Sequence, residues 1–340
     1  MKKYIASLIA AFIMIPAVTI KTDRINPVCV STHLQYLSPS LRDKQLSLLQ
    51  QAGANWVRLD FEWIGMEKAK GQWDFSVYDA IMNGAKGRGM QVVAMLPQWG
   101  QPTYKGVDYM ATSSPADYAY YVASVSAHFK GNIKLYELGN EPNEPIFWPS
   151  GPNEKAYTSL MVAGYEAIKA SDPSAKAMSA GLSPNSNWPA FVRSIFTDGG
   201  VGHFDYLGYH PYSWPASPDN TTTAPAFSDL QRFKSIQAEY GDTTPIMATE
   251  FGWPSTAQSG GVSQTQQATY ISRVFTKIMN EDYQFVKIAC VYDLVDDGNN
   301  SRNSEYNFGL VKYNYTKKPS FTSVQSARSL FNSKFNQVNP

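Results

Sequence analysis

One alternation, repeated eight times, constrains this chain more than any single residue does. Short β-branched or apolar runs at 28–32, 56–60, 91–96, 135–139, 175–181, 206–209, 245–249 and 287–292 read as strands. Longer amphipathic stretches separate them, at 41–52, 77–86, 116–129, 154–171, 189–196, 227–240, 264–279 and 320–331. The second of these shows the logic. Tyr78, Ile81, Met82 and Ala85 share one helical face, and Gly87 and Gly89 break the helix before the next strand. Strand-then-helix units in series mean parallel strands joined by crossovers, and eight is the number that closes such a sheet. The expected fold class is α/β, a single (β/α)8 TIM barrel. No Pro/Ser-rich linker and no second strand cluster follow Ser320, so no accessory β-sandwich domain is expected. An open doubly wound sheet would bring a Gly-rich turn after its first strand, and residues 31–40 contain no glycine.

The N-terminus has a different character. Lys2 and Lys3 precede an almost wholly apolar stretch over 4–20, and Ala17 and Thr19 are the only plausible small pair for cleavage. Residues 1–22 therefore read as a signal peptide or, if retained, an N-terminal membrane anchor, with 23–340 as the folded domain. The expected location is secreted or periplasmic, or tethered to the inner membrane. Only two cysteines occur, Cys29 and Cys290, too few for a disulfide scaffold. Barrel closure makes strands one and eight neighbours and places these two side by side. A disulfide and a pair of buried thiols both remain open. Charged residues are 17% and the net charge is +1, so no field is available to hold nucleic acid. A monomer is expected.

In a barrel of this kind the functional groups gather at the C-terminal strand ends. Strand two ends in Arg58 and Asp60, strand four in Asn140-Glu141, strand six in His210-Pro211-Tyr212, and strand seven in Glu250. Two carboxylates facing each other across a groove are the minimal equipment for cleaving a glycosidic bond. Glu141 is the candidate acid/base, a role that needs a raised pKa from burial and a neighbouring carboxylate. Glu250 is the candidate nucleophile, held ionised by Arg58 and Tyr212. Asn140 is placed to bond a sugar 2-hydroxyl, and His210 to contact substrate or nucleophile. Glu137 shares the strand face of Glu141 and is expected deeper, paired with an interior base. No His/Asp/Glu cluster at ligand spacing marks the strand ends, so no metal and no cofactor are expected.

Aromatics make up 14% of the chain, with 8 Trp and 21 Tyr. Trp63, Trp99, Trp148, Trp188, Trp214 and Trp253 follow strands two to seven in turn, and a pyranose face packs well on an aromatic ring. Some are expected to anchor loops. The substrate-binding candidates are His33, Trp63, Trp99, Asn143, Trp148, Trp214, Trp253 and Tyr292, enough for a polysaccharide.

Arg58, Asn140-Glu141-Pro142, His210-x-Tyr212 and Glu250 together resemble the retaining (β/α)8 glycoside hydrolases of clan A, over the whole mature chain. Residues 63–78, with Asn307-Phe308-Gly309-Leu310 and Lys318-Pro319, resemble glycoside hydrolase family 39, in particular its compact bacterial exopolysaccharide hydrolases, with family 5 as neighbour. The resemblance implies double displacement by Glu141 and Glu250, with the carboxyl groups about 5–5.5 Å apart. It implies an exported retaining endo-β-glycosidase acting on a polysaccharide, a bacterial exopolysaccharide first. A family 5-type endo-β-glucanase or mannanase is the alternative within enzymes, and a carbohydrate-binding pseudoenzyme the alternative outside them. Two departures stand out. Gly139 replaces a bulky residue and is expected to open the −1 site, and Tyr292 stands where family 5 usually has Trp.

Overall fold

The computed structural model describes residues 24–258 and 260–335, so the signal or anchor segment expected at 1–22 lies outside the described residues. The barrel strands are β1 Val28–Ser31, β2 Trp56–Asp60, β3 Gln91–Leu96, β4 Leu135–Asn140, β5 Lys176–Gly181, β6 Leu207–Tyr209, β7 Ile246–Phe251 and β8 Val286–Val291. The helices are α1 Pro39–Ala52, α2 Ser76–Lys86, α3 Pro115–His128, α4 Glu154–Ser171, α5 Trp188–Thr197, α6 Asp229–Glu239, α7 Gln264–Met279 and α8 Pro319–Phe335. A four-residue helix, Trp63–Met66, and a small hairpin of Glu67–Ala69 with Gln72–Trp73 decorate the β2–α2 loop.

Local chemistry explains the boundaries. Ser38 caps α1 by accepting from the Leu41 N–H, Pro39 opens its first turn, and Gly53 ends it at φ 79°. A reciprocal Ser263–Gln266 capping box starts α7.

All barrel pairings are parallel, in the order β5-β4-β3-β2-β1-β8-β7-β6. The remaining seam, β5 to β6, is sewn by single bridges, Met178 with Tyr206 and Leu182 with Tyr209. The Asp205 N–H to Ala177 (2.7 Å) and His210 N–H to Leu182 (3.0 Å) hydrogen bonds reinforce it. The result is the single (β/α)8 barrel expected, and the described residues include no accessory sandwich.

The pleat divides each strand between two cores. Outward residues such as Val57 and Leu59 pack under the helices. Inward residues Cys29, Trp56, Val93, Leu135, Met178, Met247, Ile288 and Cys290 form a separate apolar floor inside the barrel. Cys29 and Cys290 pair in register and form a disulfide, with Cα atoms 4.1 Å apart. This closes the question that the sequence left open. No helix among the described residues is long and apolar enough to cross a membrane.

Candidate active site

Strand β2 carries the interior from floor to mouth in two steps. Trp56 belongs to the floor, Arg58 stands one layer above it, and Asp60 lines the mouth. Arg58 is 3% exposed and spends its guanidinium on three acceptors: Glu137 Oε2 at 2.5 Å, Glu250 Oε1 at 2.7 Å and Asn140 Oδ1 at 2.8 Å. Burial works against that charge, and Glu137 and Glu250 outweigh it, leaving Arg58 more basic than usual. Glu137 is fully buried and also accepts from the Gly181 N–H at 3.0 Å. It is the interior partner expected of it.

Above Glu137 the backbone of β4 turns irregular. Gly139 sits at φ 97° and Glu141 at φ 40°, a left-handed value unusual for a glutamate. Gln98, fully buried on the β3 loop, holds this bend. It accepts from Asn140 N–H and donates to Asn140 C=O, both at 2.9 Å. A Cβ on Gly139 would fall 2.9 Å from Gln98 Oε1. The missing side chain therefore admits the Gln98 carboxamide and does not open the −1 site, which corrects the expectation from sequence. Gln98 carried no local signal of its own, since its partner lies 42 residues away in a different strand.

The bend delivers Glu141 opposite Glu250, with His210 between them. His210 Nδ1 is 2.8 Å from Glu141 Oε1 and 3.8 Å from Glu250 Oε2, and its Nε2 meets Thr249 Oγ1 at 3.1 Å. One donor atom from each of Glu141, His210 and Glu250 lies within 4.8 Å of the others. Tyr212 donates its hydroxyl to Glu250 Oε2 at 2.8 Å; burial and Glu250 push the phenol well up, which keeps it a donor.

The two carboxyls are driven in opposite directions. Burial raises Glu141 above the usual carboxylate range, partly offset by His210 and supported by Glu250 and Glu144. Glu250 meets the same burial, but His210, Arg58 and Tyr212 overcome it and hold the carboxyl below its ordinary value. His210 is depressed by burial and lifted further by Glu250 and Glu141, ending above its ordinary value. Asp60, at the rim, is pushed up to about 6 by burial against the pull of His33 and Arg58.

These groups open into a groove of about 540 Å³. Of the sequence candidates, Arg58, Asn140, Glu141, Tyr212 and Glu250 line it, as do His33, Trp99, Trp214 and Tyr292. His210 sits just beneath, fully buried. Four candidates do not reach it. Trp63 is 1% exposed, stacked on Tyr121 and hydrogen-bonded to Glu67. Trp148 is buried in the outer core. Trp253 is buried with its indole N–H on Ala216 C=O at 2.8 Å. Asn143 is spent pinning the β4 and β5 loops through Ser183 N–H and C=O. The reason is common to the three rings. The gap between strand ends and helix ends must be filled, and a Trp at the base of a loop removes more apolar surface there than on a groove wall.

Sequence reading missed Phe147, which stacks on Trp99 with centroids 4.8 Å apart, and Asn185, Glu305 and Phe308, all lining the groove from loops. It also missed that donors from different strands can gather. Besides the Glu141 group, His33, Asp293 and Asp297 come together at the β1 and β8 ends, correcting the view that no such cluster marks the strand ends.

A closed (β/α)8 barrel with paired carboxylates above its floor places the chain among the O-glycosyl hydrolases of clan A. The particular family follows from the sequence itself: the family model for cellulase (glycosyl hydrolase family 5) matches residues 20–290, and the chain belongs to that family. Comparison with curated proteins finds no significant match. Among solved structures the chain is similar to a family 39 glycoside hydrolase from the gut symbiont Bacteroides cellulosilyticus WH2, with a TM-score of 0.74 and 23% identity. That match covers 91% of this chain and 64% of the other, so the chain spans less than two thirds of that enzyme's length. It is also similar to xylanase 10B from Thermotoga petrophila RKU-1, at TM-score 0.64 and 15% identity, covering 91% and 94% of the two chains. A family 39 enzyme from Xanthomonas axonopodis pv. citri gives 0.67 and 15%, covering 91% and 67%.

Proposed function

We propose that this hydrolase is an exported, retaining endo-β-glycanase that cleaves a polysaccharide, with a bacterial exopolysaccharide as its substrate. One observation carries the mechanism. Two carboxyls at one site, with one oxygen of each within 4.8 Å, are shifted in opposite directions by their surroundings, Glu141 toward holding its proton and Glu250 toward losing it. That closeness favours retention over inversion, in which the two carboxyl groups stand roughly 6.5–9.5 Å apart to seat a water.

In the first step a Glu250 oxygen attacks the anomeric carbon as the glycosidic C–O bond breaks and Glu141 gives its proton to the leaving oxygen. A glycosyl ester on Glu250 results. In the second step Glu141, now a carboxylate, takes a proton from water while the water oxygen displaces Glu250 from the same carbon. Arg58 and Tyr212 keep Glu250 ionised and aimed. Asn140, its oxygen already held by Arg58, presents its amide N–H₂ to the sugar 2-hydroxyl. His210 orients Glu141 and exchanges its proton. Trp99 and Trp214 supply stacking faces along the groove.

Export is supported by Lys2, Lys3 and the apolar stretch after them, and we take the enzyme to act as a monomer with no nucleic-acid partner. The family 5 match supports a second reading, an endo-β-glucanase or mannanase on the same machinery. The deciding experiment digests a panel of polysaccharides, the host's own exopolysaccharide included. It reads product sizes by mass spectrometry and the first-formed anomer by NMR. A ladder of oligosaccharides with retained configuration is expected. Monosaccharide alone overturns endo action, an inverted first product overturns the double displacement, and cleavage of glucan or mannan alone selects the second reading.

A further inference from the structure

Beside the groove lies a second cavity of about 330 Å³, and Thr32 and His33 line both. Its far wall comes from the segment after β8, including Asp293, Asp296 and Asp297. Barrel closure makes this meeting: β1 and β8 are hydrogen-bonded neighbours, so the residues just past their ends share one space. Within it, one ring nitrogen of His33 and one carboxylate oxygen each of Asp293 and Asp297 lie within 4.8 Å of one another.

Asp296 is satisfied by Lys318 and the Gly309 N–H, but other polar groups in this cavity are not. Asp293 is 3% exposed, and among the described residues its carboxylate accepts no hydrogen bond and forms no ion pair. The nearest cation, Lys318, is committed to Asp296 at 2.6 Å, to Ser255 at 2.9 Å and to the Asn307 carbonyl at 3.1 Å. Independently, Thr32 is 3% exposed and its buried hydroxyl has no hydrogen-bond partner. Two carboxylates and an imidazole within one coordination shell, with an unpartnered hydroxyl on the same cavity wall, form a donor set suited to a cation.

We propose that His33, Asp293 and Asp297 bind one divalent transition-metal cation, with the Thr32 hydroxyl as a further donor. The imidazole favours Zn²⁺ and the two carboxylates also accommodate Mn²⁺, whereas Ca²⁺ and Mg²⁺ prefer all-oxygen sets. The cation neutralises the buried carboxylate and ties the β1 loop to the β8 loop. Because His33 also lines the groove, its ring is then held in place at the substrate wall. This site is separate from the proposed glycosidase chemistry and stands or falls without it.

The test uses the full chain stripped with EDTA, titrated with Mn²⁺ and with Zn²⁺ by calorimetry, with Tm followed in parallel. One equivalent is expected to bind the wild type and Glu250→Gln alike, with a rise of several degrees in Tm. Binding should weaken at least tenfold in Asp297→Asn and His33→Gln; Asp297 is exposed, so that variant is expected to fold. No uptake by the wild type up to millimolar cation overturns the proposal, as does unchanged affinity in both variants. Loss of binding in Glu250→Gln would put the cation among the groove carboxylates and overturn it too. Uptake of glucosamine without metal, abolished by Asp297→Asn, would overturn it in favour of an amino-sugar subsite.

Discussion

The floor and the mouth of the barrel interior are made by the same strands, two residues apart, and they obey different rules. On β2 the step is from Trp56 to Arg58, and on β4 from Leu135 to Glu137. The floor needs only volume and apolar area, so its energy is non-directional and shared. The mouth needs every charge to meet a specific partner, because a lone buried charge costs several kcal/mol. One face of one strand thus holds a part that only stabilises and a part that is poised to react.

Substitutions can separate the two. The largest effect is expected from Glu250→Gln, which should lower turnover by about 10⁴-fold or more while oligosaccharide binding persists in calorimetry. Wild-type-like turnover would remove Glu250 from the mechanism. Arg58→Met and Trp56→Ala should each cost about 3–5 kcal/mol of stability, for different reasons. The first strands Glu137 without a counter-charge; the second leaves a cavity. Only Arg58→Met should also move the acid limb of the pH–rate profile upward, because Glu250 loses a cation that holds it ionised. An unshifted profile would show that Arg58 merely props the fold.

Cys29→Ser tests the floor from its edge. The bridge closes 261 residues of sequence, and its loss should cost about 2–5 kcal/mol, seen as a Tm that no longer responds to reductant. A smaller contrast sets Trp214→Ala against Trp63→Ala. Trp214 lines the groove, and its loss should raise KM about tenfold, about 1.4 kcal/mol, with little change in Tm. Trp63 is core, so its loss should lower Tm and leave KM alone. The reverse result would return Trp63 to the substrate.

The pH dependence gives the finest test. Glu250 is held below its ordinary value, so its stabilising contribution is present above the usual carboxylate pKa and is lost as pH falls through its lowered one. Glu141 is raised, so its contribution is present below the usual value and fades as pH rises through its raised one. The profile of kcat/KM should be a bell whose acid limb follows Glu250 and whose alkaline limb follows the Glu141–His210 pair, which titrates as a unit. Removing the alkaline limb should require Glu141 to go, and Glu141→Ala should regain activity with azide on an activated substrate.

Much of this was legible beforehand because it is local. The strands and helices follow from periodicity and from breakers such as Gly87, which ends α2, whereas the Ser38 and Ser263 caps emerge from the structure. A carboxylate at a strand end in a parallel barrel has to face the mouth, which is why Glu141 and Glu250 could be paired on paper. The tryptophans were harder. Trp63 and Trp214 both follow the C-terminal end of a barrel strand within a short loop, yet one is 1% exposed in the core and the other lines the groove. Nothing within a few residues distinguishes them, because what decides is the shape of the space left by other loops.

The sequence by itself determined the eightfold repeat, the parallel order that follows from it, and the two glutamates that the barrel presents at one end. Tertiary structure alone decided the Gln98 clamp on the Asn140 peptide, the Cys29–Cys290 bond, the burial of Trp63, Trp148 and Trp253, and the gathering of His33 with Asp293 and Asp297. The physical reason is range. Periodicity and capping act within one or two turns of chain, whereas packing space, desolvation and charge partnership are set by residues that only closure of the barrel brings together.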